Sequence, residues 1–306
     1  MRIERLAGGP IVRPHMDARM GENVNGPSLV RAPDWVQRPL GRYYLYFGHH
    51  QGTYIRLAYA DTLTGPWRTH PAGVLDLAET PFAGHIASPD VHVDPQRREV
   101  RLYYHGPLRP EERAGPLGRW GGQATRVAVS ADGLRFTSRE EVLGAPYLRV
   151  LRHGDWHYAL GMPGHLFRSR DGLSGFEEGP NAFAGVAPGM RHAAFLRRGD
   201  DLRVFYTNRG DCPERVLVAG IDLRTGWPDW RPGPPAEVLA PETAYEGAGL
   251  PLVPSEGGKI DGPARQLRDP AIFEEDGQTY LLYAVAGEQG LAIARLTDVE
   301  ERGAGR

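Results

Sequence analysis

Arg268-Asp-Pro-Ala-Ile-Phe273, the turn Glu275-Asp-Gly-Gln278, then Thr279-Tyr-Leu-Leu-Tyr283 and Leu291-Ala-Ile-Ala-Arg295 form a unit that decides the fold, because it occurs five times. Its other opening segments are Gly26-Pro-Ser-Leu-Val-Arg31, Ser88-Pro-Asp-Val-His-Val93, Ala145-Pro-Tyr-Leu-Arg-Val150 and Arg191-His-Ala-Ala-Phe-Leu196. Turns such as Arg152-His-Gly-Asp155 and Arg198-Gly-Asp-Asp201 follow, with glycine where a tight hairpin needs positive φ. Aromatic and branched second segments come next: Tyr43-Tyr-Leu-Tyr-Phe47, Val100-Arg-Leu-Tyr-Tyr104, Trp156-His-Tyr-Ala-Leu160 and Leu202-Arg-Val-Phe-Tyr206. Third segments are Tyr54–Tyr59, Thr125–Val129, His165–Ser169 and Val216–Gly220, most of them leading into Asp-Gly or Asp-x-x-x-Gly turns. Short fourth strands are expected at Val74–Leu77, Glu141–Leu143 and Glu237–Leu239.

Four strands per unit make a propeller blade. The expected fold is therefore all-β: one five-bladed β-propeller domain over 1–306, with blades at approximately 20–80, 81–144, 145–184, 185–242 and 262–298. The fifth copy lacks an outer strand, whereas Gly9-Pro-Ile-Val-Arg13 is an orphan apolar segment, so 9–13 is expected to complete the last blade and close the ring. Closure removes exposed sheet edges. A two-domain sandwich would need a boundary, and no linker or composition shift marks one.

Forty glycines and 27 prolines suit many short strands, and 41% hydrophobic residues can bury a large core. Thirty-six basic against 38 acidic side chains leave a formal charge of −2, which gives no general attraction to nucleic acid or anionic lipid. No segment approaches the roughly 20 apolar residues of a membrane span. A single cysteine, Cys212, and an N-terminus without a signal-peptide pattern lead to the expectation of a cytoplasmic protein with no internal disulfide. The expected partner is a small, uncharged molecule.

The opening segments with their Pro-Asp and Asp-Pro pairs, together with Asp61-Thr-Leu-Thr-Gly-Pro-Trp67, resemble the five-bladed propellers of glycoside hydrolase family 43 and its relatives across the whole chain. That resemblance implies a central pocket lined by the starts of the inner strands, a carbohydrate ligand, no required cofactor, and room for a structural cation in the central channel. It maps the blade-two aspartate of the family onto Asp90 and a matching place in blade five onto Asp269. The general base of blade one is replaced by Asn25, an amide that takes up no proton, and the blade-three glutamate by Ala145-Pro-Tyr147. These departures mark a divergent member. Glu246, in the insertion before blade five, is the replacement carboxylate.

Cleavage of a glycosidic bond needs an acid for the leaving oxygen and a second carboxylate. Asp90, Glu246 and Asp269 are the candidates, expected around one pocket where mutual repulsion raises some of their pKa values. Candidate sugar contacts are Asn25, His49, His50, Arg56, His85, His105, Trp120, Tyr147, Arg191, His192 and Arg268, with Trp35 and Tyr245 as further aromatic walls. The histidine spacing matches no metal motif. Arg56, Arg191 and Arg268 suit bidentate binding of a carboxylate or phosphate, which keeps a phosphorylase or transferase open beside a hydrolase. A non-catalytic carbohydrate-binding propeller and an interaction scaffold are the competing classes. No nucleophile elbow, phosphate loop or zinc-protease helix occurs.

Overall fold

The computed structural model describes residues 1–297, so Asp298, the expected end of the fifth blade, lies outside the described residues. A strand β1 (Arg2–Arg5) opens the chain. Blade one is β2 (Asn25–Arg31), β3 (Tyr43–Gly48), β4 (Tyr54–Ala60) and β5 (Arg68–Asp76). Blade two is β6 (Ala87–Asp94), β7 (Glu99–Pro107), β8 (Gln123–Ser130) and β9 (Thr137–Ser138). Blade three is β10 (Arg149–His153), β11 (Trp156–Gly161), β12 (His165–Ser169) and β13 (Glu177–Asn181). Blade four is β14 (Met190–Arg198), β15 (Asp201–Asn208), β16 (Val216–Asp222) and β17 (Ala236–Leu239). Blade five is β18 (Arg268–Glu275), β19 (Gln278–Ala284) and β20 (Leu291–Thr297), with β1 as its outer strand. All five sheets are antiparallel, four of them simple meanders and the fifth completed by β1, and the molecule is a five-bladed β-propeller.

The N-terminus closes the ring, but with Arg2–Arg5 rather than 9–13. Arg2 pairs with Thr297 and Arg5 with Ala294, while Ile11 and Val12 run past the other end of the same strand, both donating to the Leu291 carbonyl. An outer strand has one face in water, so Arg-Ile-Glu-Arg serves there, whereas Ile11 and Val12 are apolar enough to be buried against blade one. The fourth strand of blade two lies at Thr137–Ser138 instead of Glu141–Leu143, and blade three has a fourth strand, β13, that the sequence pattern hid.

Alternate residues of a strand face opposite sides of its sheet, and in a propeller each side meets another blade. In β3, Tyr44 and Tyr46 join the core shared with blade two, while Tyr43, Leu45 and Phe47 join the core shared with blade five. Each of the five apolar clusters fills one blade junction, which is why the second strands read as apolar at nearly every position.

Candidate functional site: the mouth of the central channel

Each inner strand begins with a residue at positive φ: Gly26 (56°), Ser88 (49°), Tyr147 (62°), His192 (40°) and Asp269 (52°). In four blades this residue interrupts the pairing register. Asn25 pairs with Gly48 but Ser28 with Tyr46, and Ala87 pairs with His105 but Asp90 with Tyr103. Arg191 pairs with Thr207 but Ala193 with Tyr206, and Arg268 pairs with Ala284 but Ala271 with Leu282. Each is a bulge with one extra residue on the inner strand, a device that turns a side chain out of the sheet. Four of the five are not glycine, and left-handed backbone at such residues costs about 1–2 kcal/mol each. The four bulges and Tyr147 ring the mouth of the channel, and the connections between second and third strands return to the same face.

The strand starts, with His85 and His105 of blade two, bring together an unbroken set of side chains. His85 meets His105 edge-on at 6.2 Å, His105 lies 3.8 Å from Tyr147 between ring centroids, and Tyr147 lies 4.4 Å from His192. Nδ1 of His192 contacts Oδ1 of Asp269, whose Oδ2 accepts the Gly26 amide at 2.9 Å. The chain of contacts thus passes through all five blades. Burial pushes the Asp269 carboxyl up, but His192, the Gly26 amide and Arg191 outweigh it and hold the group well below the usual carboxylate range. Burial lowers His192 despite the opposing pull of Asp269, and burial with neighbouring histidines lowers His105 further. Both rings are neutral near pH 7. Burial and the Asp269 charge raise Tyr147, which keeps its proton.

A second layer of charge surrounds this set. Buried Glu214 accepts from Arg191 Nε at 2.9 Å and Arg191 Nη2, with Arg268 Nε 3.3 Å away. Arg268 also reaches Gln266 and, at 3.2 Å, Oε1 of Glu288, which lies 3.0 Å from His50 Nδ1. Oε2 of Glu288 is buried without a partner. Arg191 and Arg268 are therefore already engaged by carboxylates. Beside them in blade one, buried Arg56 donates to the Asn23 carbonyl at 2.9 Å, and burial together with Arg56 brings His49 down to about 4. Asn25 is buried, and its Oδ1 has no partner.

Two of the three candidate carboxylates stand elsewhere. Asp90 follows the blade-two bulge by two residues, so the counterpart of Asp269 is Ser88 and the counterpart of Asp90 is Ser28. Ser28 Oγ accepts the Val91 amide at 2.9 Å, and Asp90 Oδ2 accepts the Val150 amide at 2.8 Å; each ties its blade to the next. Asp90 also meets His92 Nε2 at 2.8 Å. Glu246 is fully buried under blade five, where Arg5, Tyr283 and the amides of Glu242 and Thr243 bond it. Burial raises both groups, but His92 and Arg149 outweigh this for Asp90, and Arg5 with the two amides for Glu246. The expected raising by mutual repulsion is thus absent: Asp90, Glu246 and Asp269 are all held low, each by a different set of partners.

The aromatic residues divide similarly. Tyr147 is at the mouth, whereas Trp120 packs against Phe167 in the junction of blades two and three, and Tyr245 packs in that of blades four and five. Trp35 lines a cavity of about 320 Å³ at the opposite end of the channel, with Leu29, Val91, His92 and Phe273. Sequence reasoning missed Glu214 and Glu288. Both lie in connections between second and third strands, in Pro213-Glu-Arg215 and Gly287-Glu-Gln289, and that position was the available signal.

Among the described residues no helix is long and apolar enough to cross a membrane. No family model matches the chain. Solved structures with the same fold include a glycoside hydrolase family 43 β-xylosidase/α-arabinofuranosidase from a compost microbial metagenome in complex with xylotriose, at TM-score 0.63 and 14% identity over 96% of this chain and 95% of that one. A family 43 enzyme from Xanthomonas citri matches at 0.61 and 13% over 94% and 90%, and the α-L-arabinanase of Cellvibrio cellulosa at 0.57 and 17% over 93% and 94%. The propeller of this chain is thus the one on which those glycoside hydrolases are built. In sequence, the chain is 35% identical over 305 residues to the uncharacterized protein R118 of Acanthamoeba polyphaga mimivirus, covering 90% of this chain and 83% of that protein. The chain belongs to the family of that viral protein.

Proposed function

We propose that the central mouth binds one residue of a small neutral glycoside and that the protein cleaves or transfers its glycosyl bond, with Asp269 and His192 handling the proton. The observation that carries this reading is the His85–His105–Tyr147–His192–Asp269 set, in continuous contact at the channel mouth, with Tyr147, His192 and Asp269 presented by positive-φ residues of successive blades. Family 43 neighbours solved with xylotriose and xylose support a sugar as the ligand class.

Asp269 stays ionised and fixes His192 through Nδ1, leaving Nε2 as the nitrogen that faces a ligand. In hydrolysis Nε2 takes a proton from water as its oxygen adds to the anomeric carbon and the glycosidic C–O bond breaks; Asp269 stabilises the imidazolium formed. Glu288, with Oε1 fixed and Oε2 unpartnered, is the second carboxylate for the positive charge that develops on the sugar ring. Tyr147 and His105 provide a planar wall and donors. Because Asp90, Glu246 and Asp269 are all held low, none of them is a strong proton donor near neutral pH, so turnover is expected first on aryl glycosides, whose phenolate leaves without an acid.

The test is a screen of purified protein against aryl glycosides and oligosaccharides, with and without phosphate, beside Asp269→Asn, His192→Gln and Glu288→Gln. Loss of turnover in the first two, with folding retained, is expected; turnover that survives Asp269→Asn overturns the assignment. A second reading, a binding propeller without turnover, is favoured by Gly26 at the blade-one bulge, where no carboxylate stands. Saturable sugar binding with no product would select it.

A further inference from the structure

The resemblance to family 43 leaves room for a structural cation in the central channel, and the residues that line this channel do not fit one. Arg149, on the inner strand of blade three, is 4% exposed. Its Nε donates to the Ala193 carbonyl of blade four at 2.9 Å, and its Nη1 to the Ser88 and Pro89 carbonyls of blade two at 3.2 and 3.1 Å. Three backbone oxygens from blades two and four are the kind of ligand a hard cation would use, and such ions take 6–8 oxygens. Here a guanidinium already holds them. Its charge repels a second cation, and Asp90 is the carboxylate whose charge it balances. Among the described residues no three His, Cys, Asp or Glu side chains converge on one point.

We propose that the Arg149 guanidinium is the resident cation of the channel: it ties blades two and four to blade three and takes the place of a bound metal. A planar group with five N–H donors can satisfy several carbonyls at once, as a metal does, but it is covalently part of the fold and is not lost to chelators. Its Nη2 remains buried without a protein partner.

The experiment combines metal analysis with thermal melts of the full chain. Protein purified without chelator is expected to hold well under one metal per chain, and EDTA or millimolar calcium to move its melting temperature by less than about 1 °C, since only a ligand of the native state shifts it. Arg149→Met, which keeps length without charge, should melt about 5 °C lower or more, and Arg149→Lys should fall between, because charged hydrogen bonds to three carbonyls are removed or reduced. Stoichiometric metal in the wild-type protein, a melting temperature lowered by EDTA, or an Arg149→Met variant that melts like wild type each overturns the proposal. The wild-type measurements decide the matter even if the variants fail to fold.

Discussion

Glu246 offers a test of whether a fully buried carboxylate is structural or chemical. Its Oε1 accepts from Arg5 Nε at 2.8 Å and Tyr283 OH at 2.9 Å; its Oε2 accepts from Arg5 Nη2 at 3.0 Å and from the Glu242 and Thr243 amides at 2.9 and 3.0 Å. These bonds anchor the closing strand β1 and the connection between blades four and five to β19. Glu246→Ala leaves Arg5 short of a partner and the Tyr283 hydroxyl and two amides unsatisfied, and breaking a buried pair costs about 3–5 kcal/mol. Unfolding entropy of about 2.1 cal/mol/K per residue makes one degree worth roughly 0.6 kcal/mol for this chain, so the melting temperature should fall by roughly 5–8 °C. Glu246→Gln keeps the shape, but its NH2 must face donors; a loss of about 2–3 kcal/mol, or roughly 3–5 °C, is expected. The assay is a thermal melt beside sugar binding or turnover, and the function per folded molecule should stay near wild type. A Glu246→Gln variant that melts like wild type yet has lost its function would refute the structural assignment.

Acid should weaken the fold before the carboxylates titrate. His49 is brought down to about 4, and His85, His105 and His192 are lowered mainly by burial, so the unfolded chain binds protons below its histidine pKa near 6.5 that the folded chain refuses. Stability is therefore complete above about pH 6.5 and lost as pH falls toward about 4, with Asp269 and Asp90 adding their loss only below that; a denaturant midpoint unchanged between pH 7.5 and 5 would count against the buried neutral histidines. Gly26→Ala places a Cβ 2.7 Å from the Ser88 Cα at φ +56°, so a destabilisation of at least about 2 kcal/mol is expected as a lowered midpoint with unchanged slope, and a wild-type midpoint would show that the blades do not meet there as described.

The blades were legible because each junction needs apolar side chains from both faces of the same strands, and that demand writes a dense signal such as Tyr43-Tyr-Leu-Tyr-Phe47. The outer strands were legible only in part, since one face meets water and two residues suffice: Val74–Leu77 and Glu237–Leu239 overlap β5 and β17, but Thr137–Ser138 carries no pattern and Arg2-Ile-Glu-Arg5 has no apolar run. The site was legible as residue types and misleading as register. Ser88-Pro-Asp90 and Arg268-Asp-Pro270 look alike when aligned on their aspartates, but the bulge sets the frame, and it falls on Ser88 and Asp269, the residues before the prolines. Positive φ at tyrosine, histidine and aspartate leaves no mark in the sequence, whereas at Gly26 it does. Glu214 and Glu288 were passed over because a glutamate in a loop is ordinarily solvated, and only the crowding of Arg191, Arg268 and His50 at the mouth holds them buried.

That frame also explains why the blade-one base is missing. The position equivalent to Asp269 in blade one is Gly26, and a side chain there is opposed by Ser88 of blade two, whose Cα lies 2.7 Å from where a Cβ would stand. Its amide is needed by Asp269 across the junction of blades five and one. Asn25, one residue earlier, points its Oδ1 so close to Gly48 that a Cβ there would lie 2.8 Å away, in a buried space with no cation bonded to it. An Asn25→Asp exchange would place an unpaired charge there, and its carboxyl would take up a proton instead of serving as a base. The closure of the ring and the position of the proposed proton-handling pair are thus one arrangement: blade five supplies the carboxylate, blade one supplies only the backbone that holds it, and in the proposed mechanism the reacting group is His192 on blade four.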